Sequence, residues 1–215
     1  MDFESITATS VVDIFLMLLI GIGPKLALVP FLHATAGMPE ATKRLVLRKM
    51  LTTAGMVAAV LLVLGGLLTR LLHFSTGALS VASGIILFSI AIRMVLGRDD
   101  PDAGSLSVEG KDPLQLAIVP LGVPYLLNPA GIVVLVTASA EAATVGVFAV
   151  VVLMLVTVLA LDVVVFRWAN QVSEHLVENR MLVVEMVFGF LLAALAVQLA
   201  LNGLSDVGVV RLTSN

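Results

Sequence analysis

No cysteine occurs among the 215 residues. Disulfides, thiolate metal sites and cysteine nucleophiles are therefore excluded. Histidine is scarce too: His33, His73 and His175 are scattered and match no metal-ligand spacing. Charge makes up only 13% of the chain, with a net value of -3. No basic, aromatic-interleaved patch exists, so no nucleic-acid partner is expected. Nothing gathers the acids, histidines or phosphate-binding glycines that an enzyme site needs, so neither catalysis nor a cofactor is expected. A basic leader is also missing. Asp2 and Glu4 precede the first apolar segment, which runs past signal-peptide length and reads as a membrane span.

What fills the chain instead is apolar sequence: 60% of residues are hydrophobic, and the mean hydropathy is +1.12. A soluble domain of this length could not hide so much apolar surface. The lipid bilayer is its solvent. Six apolar stretches, at about 11–33, 50–72, 75–96, 114–138, 142–166 and 182–204, are each long enough to cross a bilayer core. The expected fold is all-α: a polytopic membrane protein of six transmembrane helices.

Lysine and arginine set the orientation. With six spans, one side holds only Arg70 and Arg211, and the other holds nine basic residues between Lys43 and Arg180. Both termini are therefore placed outside, with loops 1–2, 3–4 and 5–6 cytoplasmic. Trp168 beside Arg167 suits the cytoplasmic interface. Only GRDDPDAGSLSVEGKDP, residues 97–113, has linker composition. It divides a first three-span half (1–97) from a second (114–215), with 98–113 as a polar cytoplasmic linker. An odd number of spans per half makes any repeat inverted.

Two helix-breaking pairs stand 105 residues apart inside lipid-compatible sequence: Gly23-Pro24 and Asn128-Pro129. The same offset sets Gly84 on Gly189, Leu87 on Leu192 and Ala91 on Ala196. Lipid cannot satisfy the backbone groups that a break frees, so breaks survive only where protein or a polar cavity covers them. Matched interruptions in the two halves of a chain point to a transporter site. Proline suits the first turn of a new helix; Asn128 is a strong N-cap residue and Gly23 an acceptable one. The first and fourth helices are thus expected to be interrupted roughly 18–21 Å in, near the midplane. Their new N-termini offer positive dipole ends to a carboxylate, and freed carbonyls suit an ammonium group. A pair of passive proline kinks is the competing account. Pro30, Pro120 and Pro124 add further bends.

The segments carrying these breaks resemble a known family. VPLGVPYLLNPAGIVVLVTAS is similar to the second-half signature of the MarC family, a proline-rich "PLAIP…GPGAI" segment. GPKLALVPFLHATAGMP resembles its first-half partner, and LSVASGIILFSIAIRMVLG its third span. The resemblance implies a six-span inner-membrane protein built of inverted repeats, similar to transporters of small neutral amino acids such as glycine and alanine. Two departures stand out. Lys25 follows the first break where the family favours a small apolar pair, and Asn128 brings the amide to the second half instead of the first.

The expected substrate is a zwitterionic amino acid, with H+ or Na+ as a candidate coupling ion. Gly23, Pro24, Lys25, Asn128, Pro129 and Gly131 are expected to line its site, with Tyr125, Ser83 and Thr157 as neighbours. A channel or exporter for another small solute, such as an anion selected by Lys25, is the alternative. Charge within a membrane is a functional hypothesis by default. Arg93, Asp162 and Glu185 fall at one level and are expected to form a salt-bridge cluster or an inner gate. Asp13 lies near the outer end of the first span. Small-residue pairs such as Gly55/Ala59 and Gly189/Ala193 allow close packing within the chain or in a homo-oligomer.

Overall fold

Helix punctuation in this chain comes from a few glycines and prolines, and each acts where elementary stereochemistry requires. The computed structural model describes residues 8–96, 112–142, 144–172 and 178–210. Helix α1, Ala8–Gly21, ends as the chain turns extended at Gly23 (φ -139, ψ 159). That is the conformation proline imposes on the residue before it. Pro24 then opens α2, Pro24–Ala34, in the first-turn position where its missing N–H costs nothing. Thr35 follows α2, its hydroxyl donating to the Phe31 carbonyl at 2.8 Å.

Helix α3, Glu40–Leu72, is longer than its apolar stretch. The basic run Lys43–Lys49, expected in a loop before residue 50, is helical. Past Pro39 nothing breaks the helix, and Glu40 pairs with Lys43 at 3.3 Å across its first turn. At 33 residues α3 is about 50 Å long, against a hydrocarbon core of about 30 Å. Helix α4 is Thr76–Leu96. Of the expected linker, only its end is described: Asp112 accepts from the Leu114 N–H at 3.0 Å and caps α5, Pro113–Leu116.

The chain then winds in wide turns over Ala117–Leu126, with Val119 and Val123 extended. Both directly precede prolines, Pro120 and Pro124, which explains their conformation. Helices α6 (Pro129–Glu141), α7 (Val145–Val172) and α8 (Glu178–Asp206) complete the molecule. No β-strand occurs among the described residues. Among the described residues four helical stretches are long and apolar enough to cross a membrane: Glu40–Leu72, Thr76–Arg93, Val145–Ala169 and Gly189–Asp206.

The apolar residues sort into two clusters. The larger joins α1, α2, α3, the wide-turn segment, α6 and α7 around Leu18, Phe31, Met50, Leu121, Leu135 and Phe166. The smaller joins α4 and α8 through Leu87, Ala91, Leu192 and Ala196, and reaches Leu26 and Ala130 in the first turns of α2 and α6. Outside these clusters the long helices carry exposed apolar side chains such as Met56, Val63, Leu67, Leu153 and Phe190. On α3 the buried residues Met50, Ala54, Ala58, Leu62 and Gly65 form one stripe at helical spacing, and the exposed side chains Met56, Val60, Val63, Leu64 and Leu67 beside it are apolar. That pattern suits contact with lipid.

Candidate functional site

The two breaks meet at one point. Ile22 and Leu127, the extended residues between the helix segments, pair as an isolated antiparallel bridge. A helix end leaves its last carbonyls without intrahelical partners, and Asn128 takes two of those at the end of α1. Its backbone N–H donates to the Gly21 carbonyl at 3.0 Å, and its Nδ2 donates to the Ile20 carbonyl at 2.8 Å. Its Oδ1 accepts from the Gly131 N–H at 3.1 Å, capping α6, and its carbonyl accepts from the Ile132 N–H at 3.1 Å. Asn128 is fully buried. Its amide therefore ties α1 to α6 and is not free to meet a solute.

Backbone contact makes the crossing tight. A Cβ on Gly21 would run into the Gly131 Cα and lie 2.6 Å from its N; one on Gly131 would run into the Gly21 carbonyl. Only glycine allows α1 and α6 to approach this closely. The point at which the two breaks meet is filled by protein, not open.

The open space lies beside it. A cavity of about 650 Å³ is bounded by Met17 and Ile20 of α1, Ala130, Val133, Val134 and Thr137 of α6, Thr76 and Ser80 of α4, and Leu195 to Asp206 of α8. Its floor, at Ile20 and Ala130, adjoins the crossing. Thr76 at the start of α4 and Asp206 at the end of α8 also bound it. Most of the lining is apolar. The polar exceptions are Thr76, Ser80, Thr137, Gln198, Asn202, Ser205 and Asp206, and Gln198 donates to Asn202 at 2.8 Å. Such a volume and mixture are those of small-molecule sites. In the first turn of α6, Pro129 has no N–H, and Asn128 satisfies those of Gly131 and Ile132. Ala130, between them, lies at the cavity floor.

The profile of the "MarC family integral membrane protein" matches residues 8–207. The chain belongs to the MarC family. It is similar to the "UPF0056 membrane protein YvbG" of Bacillus subtilis, 29% identical over 81% of this chain and 84% of that one. The "UPF0056 membrane protein MJ1677" of Methanocaldococcus jannaschii is 25% identical over 81% and 85%. A Buchnera aphidicola relative is 32% identical over 40% of the chain. No solved structure matches it.

Within this MarC chain the expected site residues are only partly gathered. Gly23, Pro24, Asn128, Pro129 and Gly131 do converge at the crossing, yet none of them lines the cavity. Lys25 sits in the first turn of α2, its side chain outside the described residues. Tyr125 is half-buried against the larger core. Ser83 is buried on α4, just beyond the lining residue Ser80. Thr157 is not a neighbour of the site: it is exposed, with its hydroxyl on the Leu153 carbonyl of its own helix. The expected salt-bridge cluster is not formed as drawn. Arg93 is exposed, whereas Asp162 is fully buried with no hydrogen-bond partner among the described residues. The Glu185 and Asp13 side chains lie outside the described residues.

Gln198, Asn202 and Asp206 escaped the sequence reading, which attended to the breaks. Their signal is a four-residue spacing of polar groups along an apolar helix, which puts them on one face. Thr76 and Ser80 repeat it on α4.

Proposed function

We propose that this protein is a secondary transporter of small neutral amino acids, glycine- and alanine-like, that works by alternating access. In this reading it crosses the inner membrane six times. Helices α1 and α2 make one interrupted crossing; α5, the wide-turn segment and α6 make another; α3, α4, α7 and α8 make the rest. The two halves are inverted three-span repeats.

The observation that carries the reading is the Ile22–Leu127 bridge beside a cavity. These residues are 105 positions apart, the offset that also relates Pro24 to Pro129. Antiparallel pairing of equivalent residues is what a two-fold axis between inverted repeats produces. Leu87 with Leu192, and Ala91 with Ala196, obey the same offset and share the smaller core. Transporter sites lie at such repeat interfaces, at discontinuous helices.

The lining supports a zwitterion. Among the described lining residues Asp206 is the one charged group, and neither lysine nor arginine is among them. In this reading a solute carboxylate lies near the positive end of α6. Its ammonium group has hydroxyl and amide oxygens. With both termini outside, as the distribution of basic residues suggests, the cavity opens outward, and the second state opens on the opposite side of the crossing.

Counterflow in proteoliposomes tests this. Vesicles preloaded with unlabelled glycine or alanine should take up the labelled form saturably. Unsaturable conductance would favour the channel reading, and no flux of either amino acid would refute the assignment.

A further inference from the structure

Asp162 is the one buried ionisable side chain among the described residues, and neither of its oxygens has a hydrogen-bond partner there. It lies on the face of α7 that carries Val158 and Phe166, one turn to either side, and both belong to the larger apolar core. Phe166 meets Phe31 of α2 edge to face, with ring centroids 5.3 Å apart and planes at 78°. Phe31, Phe166 and Asp162 are all absent from the cavity lining. Asp162 therefore sits apart from the cavity, one turn from the ring pair. A carboxyl group without a partner is costly in such a place and is a functional hypothesis by default.

We propose that Asp162 carries the proton that couples solute movement to a proton gradient. This rests on the transporter reading. A metal ion needs several oxygen ligands around it, and no described hydroxyl, amide or second carboxyl group bonds to Asp162. No group of three His, Asp or Glu residues able to hold a metal exists among the described residues. A proton needs no ligand shell. It binds one carboxyl oxygen in one state of the cycle and leaves that oxygen when a path opens past Phe31 and Phe166 in another.

The helices packed on α7 are α1, α2, α3 and α6. None of the described ionisable side chains on these helices is a hydrogen-bond partner of Asp162: His33, Arg44, Arg48, Lys49 and Arg70 are exposed, and Lys43 pairs with Glu40. Asp13, Lys25 and Glu141 are described in backbone only.

The test uses the full chain in proteoliposomes, with labelled glycine and alanine outside and a pH-sensitive dye inside. The parent should acidify the lumen as solute enters, and should concentrate it about tenfold per pH unit for one proton per solute. Asp162→Asn should still exchange solute in counterflow but accumulate none, its inside-to-outside ratio staying at one. Where that variant does not insert, Asp162→Glu should keep accumulation with a displaced pH profile.

Accumulation by Asp162→Asn, an unchanged profile for Asp162→Glu, or exchange without proton movement in the parent overturns the proposal and leaves transport standing. Restored accumulation in the double variant Lys25→Met, Asp162→Asn assigns an ion pair instead and also overturns it. A parent that exchanges neither amino acid overturns the transporter reading and this proposal together.

Discussion

Gly21 and Gly131 lie backbone against backbone, with no room for a β-carbon on either. The end of α1 and the start of α6 are held at this contact, and the amide of Asn128 spans it. Gly131→Ala and Gly21→Ala should each force these helices apart at a cost of about 1–3 kcal/mol. Unfolding in detergent should register that loss. Gly146→Ala, where a Cβ meets only Thr144 Oγ1 at 3.8 Å, should be neutral. Parental stability in both crossing variants would remove the close contact from the account.

Asn128 serves two partners with its side chain, and its variants separate them. Asn128→Ser keeps a cap acceptor for the Gly131 N–H but is too short to reach the Ile20 carbonyl. Asn128→Leu loses both. The cap is worth about 1 kcal/mol, and a buried group left unsatisfied costs about 1–3 kcal/mol. Stability should fall in the order parent, serine, leucine. Equal stability of the serine and leucine variants would show that the cap contributes nothing.

Gln198 and Asn202 bond to each other in the cavity wall. Replacing either by leucine removes a polar group that a solute can use. Each hydrogen bond is worth about 0.5–1.5 kcal/mol net, so affinity for glycine should fall by up to about tenfold. The KM of counterflow measures this. Unchanged KM in both variants places the solute elsewhere.

Lys25 offers a second place for the solute carboxylate, and its substitution separates that place from the start of α6. If its ammonium group holds the solute carboxylate, Lys25→Met loses a charge-assisted bond worth about 1.5–3 kcal/mol at every pH between 5.5 and 8.5. An affinity equal to the parent's across that range makes Lys25 passive.

Thr157→Val should leave flux, affinity and stability at parental values, because the hydroxyl bonds only to its own helix on an exposed face. Loss of flux in this variant would contradict the described face of α7.

The helix starts at Pro24 and Pro129 were legible because Gly-Pro and Asn-Pro dictate local backbone geometry whatever surrounds them. One offset of 105 residues related them in the sequence, and the same offset separates the paired residues Ile22 and Leu127. The cap at Asn128 followed from residue type, but its second bond, to Ile20, is 108 positions away in sequence. Nothing local announces such a partner. The cavity escaped for a similar reason: its polar groups are spread thinly over α4, α6 and α8, and only packing brings them together. Thr157 was misplaced by residue type alone. The spacing of Val151, Leu155, Val158, Asp162 and Phe166 already marks the buried face of α7, and Thr157 shares the opposite face with Leu153 and Leu161. The length of α3 was underestimated because the charged run was read as loop, although nothing in it breaks a helix.

The pairing of α4 with α8 has one more consequence. Gly77 and Gly203 face each other there, each too close to the other helix's backbone for a β-carbon, and a separate apolar core seals the pair. These are the last long helices of the two sequence halves. In the transporter proposed above, rocking would set this two-helix plate, one helix from each half of the sequence, against the rest, so the moving piece would be assembled from both halves of the chain and not from one.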